Sequence, residues 1–180
     1  MTTSVKNKTW HYDTLSKYLH WTVAFFVIGM ISVGIFMVYI ADESNNAVYF
    51  SLHKSFGVIA GVLILIRVLW RLQHKPAPLP SSVARWQAKL AHLMHFMLYV
   101  CIIIMPLTGY FGSSFGKHGV SLFGWPLPQW VTHNPKLSEQ LFDIHVVVVW
   151  TLVTLIALHV LAAFKHLIVD KDGVFQRMWG

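Results

Sequence analysis

Four long stretches of mostly apolar residues alternate with short polar stretches along this chain. The apolar stretches cover about residues 16–40, 52–72, 88–111 and 139–166. A helix needs about 20 predominantly apolar residues to cross the hydrocarbon core of a bilayer, so each stretch predicts one membrane-spanning helix. The pattern therefore predicts an all-α membrane protein, a four-helix transmembrane bundle that forms a single domain over residues 1–180.

The composition agrees with a membrane protein. Hydrophobic residues make up 56% of the chain and charged residues 12%, whereas soluble domains carry about 25% charged residues. Four helices use most of the 180 residues, so no separate soluble catalytic domain is expected. The first apolar stretch is too long for a signal peptide and lacks a small-residue cleavage site, so we expect it to be retained as a helix.

The three polar connections differ in length and composition. The first, at 42–50, is short, and the second, at 73–88, contains several prolines that break helices. The third, at 112–138, is the longest, and its aromatic residues include Trp125 and Trp130. We expect it to lie against the outer membrane interface, where it could cover a cofactor or anchor the bundle through an aromatic belt.

The basic residues predict the orientation, because cytoplasmic segments of membrane proteins are enriched in Lys and Arg. If both termini are cytoplasmic, only Lys54, Lys117 and Lys136 lie on the outer side. The basic residues at or near the cytoplasmic face are then Lys6, Lys8, Lys17, Arg71, Lys75, Arg85, Lys89, Lys165, Lys171 and Arg177. The net charge of +7 thus reflects topology, and no nucleic-acid partner is expected.

Histidines within the apolar stretches form pairs by depth. His145 and His159 lie fourteen residues apart, which puts them near one helix face, separated by about 21 Å along the axis. When the stretches are sorted by insertion direction, His20 lies near the cytoplasmic end and His53 near the outer end. The expected pairs are therefore His53 with His145, and His20 with His159.

Two imidazoles at one depth are the ligands of a six-coordinate b-type haem, which suits electron transfer. Cys101 is the only cysteine, so a haem would be held non-covalently. A non-haem metal fits less well, because the spans offer only Asp143 as a nearby carboxylate. Hydrogen bonds between helices explain single histidines, as in a purely structural membrane protein, but four at matching depths favour two haems.

Two further features of the second stretch suit a porphyrin. Gly57 and Gly61 follow His53 at four-residue intervals, which leaves a flat strip for a macrocycle or, alternatively, for close helix packing. Arg67 lies fourteen residues after His53, at the level of the inner haem. It could pair with haem propionates or a quinone, or extend to the inner surface together with Arg71.

His92 and His95 open the third stretch at the level of the inner pair. Either could replace His20 as the partner of His159, both could bind one metal, or they could line the pocket or face the lipid headgroups. We favour the interfacial or pocket-lining role. The histidines outside the spans are expected at the solvated surface, and these are His11, His74, His118 and His133.

Taken together, these motifs resemble the prokaryotic cytochrome b561 family over nearly the whole chain. The residues that carry the resemblance are Leu19-His20-Trp21, His53 to Arg67 with Arg71, Leu90-Ala91-His92-Leu93-Met94-His95, His145, His159, and the tail from Lys171-Asp172 to Met178. The resemblance implies two haem b groups with the same two histidine pairs. It also implies a multi-pass protein of a bacterial inner membrane.

A ubiquinone site near the inner haem is also implied by the resemblance. His166 matches the family position that contacts quinone, and Arg85 or Lys89 could assist. The lysine-rich stretch that the family carries before its third helix is not reproduced here, where the chain reads Ser81-Ser82-Val83-Ala84.

The function that the resemblance implies is superoxide:ubiquinone oxidoreductase activity, with electrons passing over two haems. Lys54, Lys117 and Lys136 are the outer cations that could steer superoxide. The acidic residues that offset them are Asp42, Glu43, Glu139 and Asp143. The alternative function is a haem b subunit that relays electrons between quinone and a redox partner such as a hydrogenase or dehydrogenase.

Overall fold

The computed structural model describes residues 11–41, 43–75, 78–80, 83–117 and 119–179, with the backbone alone over 43–46. Several residues named above lie outside the described residues, or have side chains that do. These are Lys6, Lys8, Asp42, Ser81, Ser82 and His118, and the side chain of Glu43.

Four long helices dominate the fold. They are α1 (Thr14–Tyr39), α2 (Glu43–Gln73), α3 (Arg85–Phe115) and α4 (Pro135–Lys165). All four are long and apolar enough to cross a membrane. The prediction of a mostly helical protein with four membrane-spanning helices is confirmed.

All four helices begin earlier than the apolar stretches predict. The largest difference is at α2, which begins at Glu43, so the first predicted connection, at 42–50, is wrong because it is helical from residue 43. Backbone hydrogen bonds continue beyond the apolar core as long as the chain keeps helical dihedrals, and polar residues do not by themselves end a helix. Hydrophobicity located the spans but not their ends.

Local capping residues set the starts of α1 and α4. Asp13 accepts the backbone N–H of Ser16 at 2.9 Å, and Asn134 accepts that of Leu137 at 3.1 Å. Pro135 occupies the first position of α4, where its missing N–H leaves no helical hydrogen bond unmade. The third connection is thereby shortened to residues 116–134.

The helices pack mainly as two antiparallel pairs, α1 with α2 and α3 with α4. Cys101 of α3 and Leu152 and Leu155 of α4 form a buried cluster. Many other large apolar side chains are exposed, which suits a bundle surrounded by lipid. In that environment every backbone polar group has to be satisfied within a helix.

The longest connection docks on α2 at Lys54 and Ser55. It contains a small hairpin, β1 (Ser121–Leu122) and β2 (Trp125–Pro126). The buried hydroxyl of Ser55 accepts the N–H of Phe123 at 2.9 Å, and the Nζ of Lys54 donates to the carbonyl of Gly119 at 3.4 Å. This end of the bundle is named the outer end below, and the opposite end the inner end.

Both ends of the described chain meet at the inner end. Beyond α4 the chain forms a π-helical turn (His166–Asp170) and a short helix, α5 (Gln176–Trp179). The N–H of Tyr12 donates to the carbonyl of Arg177 at 3.2 Å, and the indole of Trp21 donates to that of Met178 at 3.1 Å. The C-terminal helix therefore packs against the start of α1.

Candidate functional site

The outer histidines lie on α2 and α4. His53 and His145 are close enough to interact electrostatically, and the Nδ1 of His145 lies 3.0 Å from the hydroxyl oxygen of Thr108 on α3. That hydroxyl donates its own hydrogen to the carbonyl of Ile104 or Met105, so it accepts the Nδ1–H of His145. The Nε2 of His145 then keeps a free lone pair, which is the form of histidine that binds a metal.

Glycines on α1 and α3 face these two imidazoles. A β-carbon at Gly34 would lie 3.3 Å from the Cε1 of His53, and one at Gly109 would lie 3.3 Å from the Cε1 of His145. The Nδ1 of His53 is buried and has no hydrogen-bond partner among the described residues. Buried polar atoms without partners are rare in folded proteins and point to a bound group. The residues present at the outer pair therefore fit a haem.

Removing the acceptor on His145 should weaken this site. In Thr108→Val the shape of the buried side chain is kept, but the Nδ1–H of His145 loses the hydroxyl that accepts it. Loss of the hydrogen-bond partner of a metal-binding histidine lowers metal affinity by about 10–100-fold. Haem should therefore leave the outer site at least tenfold faster. Transfer of haem to apomyoglobin measures this loss. Thr154→Val is the control, since Thr154 donates only to the carbonyl of Trp150 within α4, and it should leave the rate unchanged.

The inner histidines lie on α1 and α4. The ring centres of His20 and His159 are 6.4 Å apart, with the ring planes at 70°. A metal–imidazole bond is about 2 Å long, so one iron between two imidazoles would separate their centres by about 6 Å. The observed separation fits a pair of axial ligands.

Arg67 lies beside His20 and is half-buried in the bundle. Its Nη2 is 3.0 Å from the Nδ1 of His20, and its Cζ is 5.7 Å from the ring centre of Tyr99. A guanidinium group can only donate, so the Nδ1 of His20 accepts and a neutral ring carries its proton on Nε2. For a neutral His20 to hold iron through Nε2, its proton would have to move to Nδ1, and Arg67 would then have to turn to another acceptor, such as a carboxylate.

The two histidines that open α3 occupy different surroundings. The ring centre of His95 is 5.2 Å from that of His159, whereas the described contact of His92 is with its own helix, from its Nδ1 to the carbonyl of Ala88. Of the roles considered for the two residues, pocket lining fits His95.

The two glycines on α2 face different helices. A β-carbon at Gly57 would lie 3.5 Å from the Cε of Met30 on α1, and one at Gly61 would lie 3.2 Å from the Cβ of Pro106 on α3. Gly61 thus sits in a close helix–helix contact, as small residues do in membranes. The role of both glycines beside a haem stays a prediction.

His166 begins the π-helical turn that follows α4. Its Nδ1 lies 2.6 Å from a carboxylate oxygen of Asp172, and the other oxygen of Asp172 accepts the N–H of Val174 at 3.0 Å. This fixes the orientation of the His166 ring at the inner end. Arg85 and Lys89 are exposed in the first turns of α3, and their role at a quinone stays a prediction.

Sequence reasoning missed Thr108, Gly34 and Gly109, and it named Asp172 only as part of the tail motif. A buried hydroxyl in an apolar span, such as that of Thr108, could have been noticed as a polar group that needs a partner. The glycines carried no such signal, because glycine is common in transmembrane helices. Only the packing of α1 on α2 and of α3 on α4 shows which side chains they face.

Four apolar helices with histidine rings paired between them form the arrangement of a haem-binding membrane cytochrome. The family model described as prokaryotic cytochrome b561 matches residues 11–180, and the chain belongs to this family. The protein is therefore a multi-pass membrane protein of a family that binds haem b and transfers electrons.

Three relatives extend over nearly the whole chain. Cytochrome b561 homolog 2 of Escherichia coli is 32% identical, covering 98% of this chain and 95% of the relative. Cytochrome b561 homolog 1 of the same organism is 27% identical, covering 89% and 92%. A protein of Yersinia pestis named probable superoxide oxidase CybB is 29% identical, covering 93% and 94%.

Proposed function

We propose that this single-domain protein holds two haem b groups, oxidises superoxide at the outer end and reduces ubiquinone near the inner end. One haem lies between His53 and His145, and the other between His20 and His159. The observation that carries the proposal is that the histidines pair at two levels of one bundle. The two α4 ligands are separated by about 21 Å of helical rise.

The overall reaction balances in electrons and protons. Two superoxide anions each lose one electron and leave as oxygen, and ubiquinone takes up these two electrons and two protons to become ubiquinol. Bound haem b with two imidazole ligands supplies reversible one-electron chemistry and is closed to further ligands. The residues around each haem therefore hold and orient it, and superoxide transfers its electron without binding to iron.

The outer end offers a cation next to one proposed ligand. Lys54 follows His53 directly on α2, is half-buried, and is held by the carbonyl of Gly119. Its positive charge would attract the superoxide anion towards the outer haem. The exposed Lys117 and Lys136 add to this field, and the name of the Yersinia relative agrees with superoxide as the donor.

The inner end would receive the quinone. His166 lies seven residues beyond His159, on a similar helix face and about 10 Å closer to the inner end. Asp172 holds its ring in one orientation through Nδ1. A quinone carbonyl can only accept, so Nε2 would donate to it when the ring carries a proton on both nitrogens. Arg85 and Lys89 would assist from the start of α3. We place this end and both termini on the cytoplasmic side of the inner membrane.

The decisive experiment follows superoxide consumption by the purified, haem-loaded protein with and without ubiquinone. Sustained consumption is expected only when ubiquinone is present, with one ubiquinol formed for every two superoxide anions. If the fully loaded protein does not consume superoxide under either condition, the superoxide oxidase proposal is wrong. The relay subunit for a redox partner then becomes the better reading.

One variant and its matched control test the proposed quinone site in the same assay. His166→Ala should keep both haems and their reduction by superoxide, yet slow ubiquinol formation at least tenfold. His74→Ala is the control, because His74 is an exposed histidine of the same end that stacks on Trp70. An unchanged rate in His166→Ala would exclude this residue from the quinone site.

A further inference from the structure

Three imidazoles converge at the inner site, although one haem iron takes only two. The ring centre of His159 lies 6.4 Å from that of His20 and 5.2 Å from that of His95. The two separations match two different kinds of contact. An iron between two rings needs about 6 Å between their centres, whereas an N–H···N hydrogen bond with about 2.9 Å between its nitrogens brings them to about 5 Å.

The hydrogen bonding of His95 determines what its free nitrogen can do. Its Nδ1 lies 2.6 Å from the carbonyl of Ala91, and a carbonyl oxygen can only accept. Nδ1 therefore carries the proton of the neutral ring, and Nε2 is a hydrogen-bond acceptor. His95 thus offers an acceptor next to His159.

Within the described residues His159 makes no hydrogen bond, so no hydrogen bond fixes the orientation of its ring. A histidine that binds a metal through one nitrogen donates the N–H of its other nitrogen to a nearby acceptor. Arg67, the charged group of this site, is a donor only and cannot serve. The rings of His95 and His159 meet edge to face, with 5.2 Å between their centres and 81° between their planes, so His95 is an acceptor placed beside His159.

At the outer site, too, α4 carries the proposed ligand and α3 carries the group that accepts its N–H. There, Thr108 of α3 accepts the Nδ1–H of His145 of α4. Thr108 and His95 lie thirteen residues apart on α3, and His145 and His159 lie fourteen apart on α4. The two helical rises therefore agree to within about 1.5 Å. Helix α3 thus carries a candidate acceptor at the level of each α4 ligand.

We propose that His95 is a positioning residue of the inner site, whose Nε2 accepts the N–H of the axial ligand His159, while the carbonyl of Ala91 holds the His95 ring in place. This inference rests on the proposed inner haem between His20 and His159. An acceptor on a ligating imidazole raises its basicity, and a more basic ligand favours the oxidised iron. His95 should therefore lower the reduction potential of the inner haem.

The test is a spectroscopic redox titration of the purified holoprotein together with a haem count. His95→Phe removes the acceptor and should keep both haems while making the inner one easier to reduce. The expected change is about tenfold in the reduction equilibrium, which corresponds to 59 mV for one electron. His95→Gln restores an accepting oxygen and should return much of the shift.

His92→Phe is the matched control, because His92 makes the same bond to a backbone carbonyl one turn earlier on α3. It should leave both potentials unchanged, and the outer haem of every variant reports on folding. Loss of the inner haem in His95→Phe with the outer haem intact would make His95 a ligand and overturn the proposal. An inner potential unchanged in that variant would also overturn it. Neither result depends on superoxide, so a failure of this proposal can be distinguished from a failure of the proposed oxidase activity.

Discussion

His159→Ala is expected to remove the inner haem and leave the outer one, so that the haem content falls from two to one per chain. Loss of one of two axial ligands removes half of the iron–protein bonds at that site, and the neighbouring His95 is held on α3 by the carbonyl of Ala91. Haem affinity at the inner site should fall by more than the about 10–100-fold that follows loss of a ligating histidine's hydrogen-bond partner. The ratio of haem to protein after purification, with size-exclusion chromatography as a check on folding, measures it.

The mirror variant makes the experiment specific. His145→Ala should remove the outer haem and spare the inner one, so each variant should keep one haem with a different reduction potential. In the proposed function, His159→Ala should still be reduced by superoxide but form no ubiquinol, whereas His145→Ala should react poorly with superoxide. Equal loss of both haems from either change would contradict two sites at separate levels. His133→Ala is a suitable control, because this exposed histidine binds the carbonyl of Phe115.

The second large effect is expected at a glycine. Gly109→Leu should empty the outer haem site, because its β-carbon would already lie 3.3 Å from the Cε1 and 3.6 Å from the Nδ1 of His145. The remaining carbons of leucine would push the ring out of position or fill the space in front of it. Overpacking of this kind costs about 1–3 kcal/mol, which corresponds to a roughly five- to 150-fold lower affinity for haem.

A graded series separates this effect from general damage to the helix. Gly109→Ala should lower outer haem content only slightly, because at 3.3 Å the imidazole has to move by a few tenths of an ångström. Gly29→Leu is the control, since a β-carbon at Gly29 on α1 would meet nothing within 4 Å, and it should keep both haems. Full outer haem content in Gly109→Leu would show that the His145 ring is not held against α3 when haem is bound.

The spans could be predicted from the sequence because the bilayer allows few solutions. When a long apolar stretch leaves water, its backbone N–H and C=O groups have to form hydrogen bonds with each other, so it becomes a helix. The starts of α2 and α4 could not be predicted as well. They lie in polar residues, where the end of the helix depends on capping groups such as Asn134 and no longer on hydrophobicity.

The inner site shows where prediction from spacing ends. Sorting by insertion direction placed His20, Arg67 and His159 at one level, and the structure brings these three side chains together. The same sorting could not distinguish His92 from His95, because both lie at that level and one helical turn apart. The rotation of α3 about its axis decides between them, and this rotation depends on packing against α4.

The amino-acid sequence by itself determined that the chain is a four-span helical membrane protein with histidines at two levels. Hydrophobic length and helical rise are local properties, and they can be counted along one chain. Only the tertiary structure decided that Thr108 binds His145, that Gly34 and Gly109 face imidazoles, and that His95 lies beside His159. Each of these contacts joins two helices, so it depends on how the helices rotate and pack against each other, which no local spacing records.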